Sequence, residues 1–196
     1  MQFSIFKNHL SAWQGRSLLI GLNKDEIDSQ LEKIAFKVDP SQLIKRLKNN
    51  NFKGELGDSI SLDILGQNLD NLLIIGLGDK NKINSDALRN SFSECIRQVI
   101  DKLEKIGILM PWHAFDNNGI YDIAEALRLS SYKDNRFNKK RDEKINLKEI
   151  EFLNLEHIEN ISFKEVEDIC EGVEFARKLV AAPPNDLTPL EMSKKA

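Results

Sequence analysis

The sequence predicts an α/β sandwich on a mixed, largely parallel sheet. Two observations carry this. Short apolar runs that read as strands alternate with segments of helical periodicity, and one run, Leu72-Leu73-Ile74-Ile75, has no polar face, the pattern of a strand covered on both sides. A third is bulk: 196 residues, 41% of them hydrophobic, suffice for a core without staples.

Taken in order, Leu18, Leu19, Ile20 and Leu22, bounded by Gly15 and Asn23-Lys24-Asp25, read as a buried strand. Asp39-Pro40 opens a helix, since the carboxylate can accept from an orphan N–H and proline presets the first turn. Leu43, Ile44 and Leu47 share its apolar face, Lys45, Arg46 and Lys48 suit its C-terminal dipole, and Asn49-Asn50-Asn51 ends it. Ile60, Leu62 and Ile64 alternate with polar neighbours as in a half-buried strand, and Gly66-Gln67-Asn68 turns the chain.

Asn84 or Ser85 caps the next helix, whose stripe Leu88, Phe92, Cys95, Ile96, Val99, Leu103 and Ile106 runs to Gly107. Ile108-Leu109-Met110 before Pro111 reads as a strand, Asp116-Asn117-Asn118-Gly119 as a turn, and Ile120, Ile123, Ala124 and Leu127 as a helix. Ile150, Phe152 and Leu155 suggest one more strand.

From Ser162, the run Ser-Phe-Lys-Glu reads as a capping box, with Ile161 and Val166 placed as a hydrophobic staple. Val166, Ile169, Cys170, Val173, Ala176 and Val180 continue a stripe until Pro183-Pro184. Thr188-Pro189-Leu190-Glu191 is a second capping box, leaving about two turns before Ala196, a length marginal without tertiary packing. The expectation is a chain that opens a second domain and stops.

Composition narrows the function. A net charge of −3 gives no polyanion footprint, so nucleic acid is an unlikely partner, and no apolar run approaches the ~18 residues a membrane span needs. The N-terminal segment has no basic leader followed by a long apolar run, and Cys95 and Cys170 suit reduced thiols; a cytoplasmic location is expected.

Candidate chemistry is sparse. His9, His113 and His157 are isolated and more readily structural than catalytic. Gly76-Leu77-Gly78 follows a buried strand, where α/β proteins commonly bind ligands, but Asn81 stands where a dinucleotide fingerprint needs its third glycine, so a plain tight turn is the better reading. Lys133, Arg136, Lys139, Lys140 and Arg141, with Tyr132 and Phe137 interleaved, could meet phosphates and bases, although Asp134, Asp142 and Glu143 dilute the run. Glu165, Glu167, Asp168, Glu171 and Glu174 read as a solvated face rather than a metal site.

Four segments together resemble the N-terminal part of the leucyl (cytosol) aminopeptidase family. Gly172-Val173-Glu174-Phe175-Ala176-Arg177-Lys178-Leu179-Val180-Ala181-Ala182-Pro183-Pro184-Asn185-Asp186-Leu187-Thr188-Pro189 is similar to that family's interdomain helix and the Pro-Pro-Asn-x-Leu-Thr-Pro entry into its catalytic domain. Glu125-Ala126-Leu127-Arg128-Leu129-Ser130-Ser131-Tyr132 resembles its helix ending in Leu-x-Ser-Tyr. Phe52-Lys53-Gly54-Glu55-Leu56-Gly57 and Leu73-Ile74-Ile75-Gly76-Leu77-Gly78-Asp79 match in order and spacing. Ala181 departs from the asparagine many members carry, which touches helix-end packing, not chemistry.

The resemblance implies a macro-domain-like N-terminal domain over 1–160, an interdomain linker helix over 161–182 and the start of a metallopeptidase domain over 183–196. It further implies hexamers that release N-terminal residues, leucine preferentially, using two divalent ions, zinc or manganese, in the catalytic domain. The family's Gly-Lys-Gly…Phe-Asp-Ser-Gly-Gly and Asn-Thr-Asp-Ala-Glu-Gly-Arg segments do not occur here. Hence no catalytic, cofactor-binding or metal residue is assigned to any position, and the chain alone is expected to be inactive. Two alternatives stand beside this: an ADP-ribose-type ligand at the Gly76–Asp79 loop, and nucleic acid on Lys133–Arg141.

Overall fold

The computed structural model describes residues 1–35, 37–64, 69–112, 115, 117–134, 136, 147–155 and 161–195, Asn117 by its backbone only. Six strands, β1 (Gln2–Phe6), β2 (Ser17–Asn23), β3 (Ser59–Asp63), β4 (Asn71–Gly78), β5 (Lys105–Leu109) and β6 (Glu149–Leu153), form one sheet in the order β1-β6-β5-β2-β4-β3. Every neighbouring pair is parallel except β3 with β4. Helices α1 (Ile27–Glu32), α2 (Pro40–Asn49), α3 (Ser85–Arg97), α4 (Asn117–Ser131), α5 (Lys164–Ala181) and α6 (Pro189–Lys195) complete the fold, with a short 3-10 turn at Leu10–Ala12.

The all-apolar β4 is explained by the layers. Leu73, Ile75 and Leu77 point into a core with α3, α4 and the start of α5, while Leu72 and Ile74 point into a second core with α1 and α2. β2 divides likewise, Leu19 to the first side and Leu18, Ile20 and Leu22 to the second. A strand feeding two cores needs apolar residues at both parities. β3, at the sheet edge, alternates exposed and half-buried positions as its sequence pattern requires.

Caps form where the sequence places them in three helices. Asp39 accepts the Ser41 N–H at 2.9 Å ahead of Pro40, and Asn84 accepts the Ala87 N–H at 2.9 Å. Thr188 Oγ1 accepts from Glu191 N at 3.3 Å, opening α6 at Pro189.

Four local expectations are corrected. The stripe from Leu88 to Ile106 is not one helix: α3 stops at Arg97, Val99 and Leu103 are buried beyond its end, and Ile106 and Gly107 belong to β5, the strand read at Ile108-Leu109-Met110, which begins earlier, at Lys105, and ends at Leu109. Asn117, Asn118 and Gly119 lie inside α4 rather than in a turn before it. Ser162 does not cap α5; Phe163 is the N-cap, with no side-chain cap bond, and its ring stacks on Phe152 at 4.9 Å. Aromatic packing has taken the position that a hydroxyl cap would need. Leu155 is buried but lies beyond the end of β6. The turn expected at Gly66-Gln67-Asn68 lies outside the described residues.

Candidate functional site

The loop after β4 comes first, because ligands of open α/β sheets sit beyond strand carboxyl ends. Gly76 packs against the chain itself: a Cβ there would stand 2.1 Å from the Glu55 carbonyl oxygen. Gly76 N donates to Asp58 O at 2.7 Å and Gly78 N to Gly54 O at 2.9 Å, so residues 54–58 fill the cradle these glycines leave. Gly78 takes φ +68°, and its carbonyl accepts from Lys24 N at 3.0 Å.

Beside this junction lies a cleft of about 350 Å³ lined by Lys24, Asp25, Glu55, Asp79 and Lys82 among others. Both of its lysines are already paired: Lys24 with Glu55 at 2.5 Å and Lys82 with Asp79 at 3.7 Å, and Asp25 adds a further negative charge. Asp79 accepts the Asn81 N–H at 2.9 Å, and that bond holds its carboxyl below the ordinary carboxylate range. The backbone donor that an anionic ligand would need is thereby taken by the protein's own carboxylate. This geometry gives the Gly76–Asp79 loop a structural job and lends no support to the ADP-ribose reading.

The described part of the basic stretch is equally engaged. Arg136 grips Asp134 through two nitrogens, at 2.9 and 2.6 Å, and donates to the Lys178 carbonyl on α5 at 2.5 Å. That grip holds the Asp134 carboxyl down at about 2. Arg177 reaches back from α5 to the Leu129 carbonyl at 2.8 Å and lies over the Tyr132 ring, 5.7 Å from its centroid. Phe137, Lys139, Lys140 and Arg141 lie outside the described residues.

The α5 carboxylates divide between seam and solvent. Glu174 and Glu171 face Arg128 of α4 at 3.0 and 3.6 Å, and Asp168 pairs with Lys164 at 2.6 Å. Among the described residues no group of three or more histidine, cysteine, aspartate or glutamate side chains is placed to hold a metal ion. His9 accepts from Ser11 N at the 3-10 turn, while His113 and His157 lie outside the described residues. Cys95 and Cys170 are free and buried, and burial pushes their thiols up to about 12 and about 11. Neither is a nucleophile at neutral pH. Among the described residues no helix is long and apolar enough to cross a membrane.

What the last 33 residues offer instead is a surface. α5 buries only Val166 and Cys170, leaving Ile169, Phe175 and Val180 at 49%, 44% and 87% exposure, and α6 adds Leu190 and Met192 at 66% and 51%. Several large apolar side chains left exposed within one segment suit a surface that another element covers.

Residues 19–141, more than half of the chain, match the model of the cytosol aminopeptidase family, N-terminal domain. The chain belongs to this family. Across its whole length it is 54% identical to a probable cytosol aminopeptidase of Prochlorococcus marinus strain MIT 9312 and 32% identical to one of Synechococcus sp. strain CC9605. In both cases it spans 40% of the relative's length. A tomato leucine aminopeptidase mutant superposes with a TM-score of 0.76 over 99% of this chain and 41% of that one, at 21% identity. A cytosol aminopeptidase of Coxiella burnetii superposes with 0.63 over 98% of this chain and 36% of that one, at 17% identity. At these identities the likeness establishes the fold.

Within this cytosol aminopeptidase region, sequence reasoning missed the cations that organise the seam. Arg128 lies inside the quoted Leu-x-Ser-Tyr helix but was not assigned a role, and Arg89, held by Asp122 and Glu125 at 2.6 and 3.1 Å, drew no attention. The only available signal was the spacing of Asp122, Glu125 and Arg128 in steps of three on one helix face, which does not name the partner helix.

Proposed function

We propose that this chain is the non-catalytic N-terminal region of a metal-dependent leucyl aminopeptidase. In this reading residues 1–160 form a macro-like domain, 161–182 the interdomain helix and 183–196 the opening of the catalytic domain. The observation that carries it is the set of large apolar side chains left exposed on α5 and α6, with Val180 at 87% exposure close in sequence to a segment similar to the family's catalytic-domain entry. A catalytic domain packed on that segment accounts for its composition, and the domain itself contributes covering surface and subunit contacts in a cytoplasmic hexamer.

Two divalent ions, manganese or zinc, belong in this reading to the catalytic domain. The described residues of this chain do not fit them: Glu171, Glu174 and Asp168 of α5 are paired with Arg128 and Lys164, and among the described residues no group of three or more histidine, cysteine, aspartate or glutamate side chains could hold a metal ion. No step of peptide hydrolysis is therefore assigned to any residue here. The test is hydrolysis of leucine-p-nitroanilide by the purified 196-residue chain with added manganese or zinc, alongside metal quantification. Neither turnover nor stoichiometric metal is expected; metal-dependent turnover that survives contaminant controls overturns the reading.

A further inference from the structure

We propose that the outer edge of β3 pairs with β3 of a second copy of this chain, antiparallel about Ser61, and joins the two sheets into one. β3 is an end strand of the sheet, and its inner side is taken by β4. Asp58 O accepts from Gly76 N at 2.7 Å and Ile64 N donates to Asp70 O at 2.8 Å, and these two bonds flank the strand. Bonded pairs recur at every second residue of an antiparallel ladder, so Ile60 and Leu62 aim their backbone groups at β4. Ser59, Ser61 and Asp63 therefore aim theirs outward, and all three residues are exposed.

This edge lacks the devices that ordinarily keep other strands away. Between Ser59 and Asp63 there is no proline or lysine, and the register with β4 runs without a bulge. Among the described residues the one contact on the outward backbone groups comes from Arg46, whose Nη1 reaches the Asp63 carbonyl at 3.5 Å and leaves that oxygen a second lone pair.

Symmetry selects a second copy over an unrelated strand. The outward residues are spaced evenly about Ser61, so a two-fold axis there sets Ser61 opposite itself and Ser59 opposite the partner's Asp63. Every outward N–H then meets an outward C=O. The only charge on the strand falls opposite a serine rather than its own counterpart, so the pairing sets no like charges face to face. On the side that packs on the second core, Ile60 comes opposite the partner's Leu62; both are half-buried in the single copy and cover each other in the pair. Ser59 keeps the bond that Gln98 donates to its hydroxyl at 3.0 Å, on the other side of the sheet.

The test uses the 196-residue chain carrying Phe175→Glu and Val180→Lys, which blocks association through α5 and α6 and leaves β3 untouched. Sedimentation equilibrium is expected to show a monomer–dimer equilibrium in that background. Ser61→Pro deletes an outward-facing N–H and none of the bonds to β4, a replacement that edge strands tolerate, and is expected to raise the dimer dissociation constant at least about tenfold. Cross-linking under mild oxidation reads the register separately, since Cys95 and Cys170 are buried. Ser61→Cys sets two sulfurs on opposed residues with Cα atoms about 5.5 Å apart, within disulfide reach, and cross-links fast. Asp63→Cys, whose counterpart lies about 13 Å further along the paired strand, cross-links slowly. A background chain that stays monomeric, a Ser61→Pro dimer as tight as its parent, or equal cross-linking of the two cysteine variants overturns the proposal. None of these readouts involves turnover, so they stand apart from the metallopeptidase reading.

Discussion

Arg128 of α4 and Glu174 of α5 form a 3.0 Å ion pair in which both side chains are largely covered, at 12% and 20% exposure. With Glu171 on the same guanidinium, Arg177 on the Leu129 carbonyl and Arg136 on the Lys178 carbonyl, the pair fastens a helix that buries only Val166 and Cys170. α5 buries few side chains of its own, so polar contacts carry an unusual share of its attachment. Glu174→Ala leaves Arg128 half-buried with only the more distant Glu171, and the expected loss is about 2 kcal/mol. Hydrogen exchange locates it: amides of α5 exchange faster while those of β2 and β4 keep their protection. Equal acceleration in both regions would refute a local fastening.

A pH step follows from the neighbouring contact. Arg136 holds Asp134 at about 2, below its ordinary 3.8. Because the folded value is the depressed one, the grip is complete above about 4 and is lost as pH falls toward 2. The carboxyl-carbon resonance of Asp134 is expected to titrate with a midpoint near 2, and exchange at the C-terminal turn of α5, where Arg136 meets Lys178 O, should quicken over that interval. Asp134→Asn abolishes the pH step, and a midpoint near 4 in the parent chain would contradict the geometry.

These seam contacts also mark where the sequence stopped being informative. The layers were legible because burial on two faces forces apolar residues at both parities, as in Leu72 to Ile75, and because Asp39 and Asn84 cap their helices through purely local chemistry. β1 escaped notice since Gln2–Phe6 is short and half exposed, and its pairing with β6 spans nearly the whole chain. Ser162 misled because a local capping pattern lost to distant packing, Phe163 against Phe152. The seam failed for the same reason: nothing near Arg128 indicates that its partners lie on α5, some 40 residues on.

The glycine pair after β4 gives a graded test of its structural role. At Gly76 an added Cβ meets the Glu55 carbonyl oxygen at 2.1 Å, backbone that cannot step aside cheaply, whereas at Gly78 the nearest contacts are 3.3 Å and the cost is mainly the φ of +68°. Gly78→Ala is expected to cost about 1 kcal/mol, the usual penalty of a left-handed position. Gly76→Ala should cost clearly more, in the range of overpacking, about 1–3 kcal/mol on top of any backbone shift. Denaturant midpoints measure both. A Gly76→Ala midpoint no lower than that of Gly78→Ala would mean that residues 54–58 do not close on the strand.

The exposed apolar side chains of α5 and α6 lead to the last prediction. Ile169, Phe175, Val180, Leu190 and Met192 are all exposed in the chain's final segment. Each exposed aliphatic or aromatic side chain forgoes on the order of 1.5–3 kcal/mol relative to burial, so two copies of this surface gain by covering each other. The 196-residue chain is therefore expected to self-associate with rising concentration in sedimentation equilibrium and to bind an apolar dye. Phe175→Glu together with Val180→Lys places charges of opposite sign on this surface without touching a buried side chain. That variant should lose this association and dye binding and keep the parent's melting temperature at high dilution. A parent chain that stays monomeric at every concentration and binds no dye would mean that α5 turns this face inward in solution, and the assignment of the surface to a covering domain would fall with it.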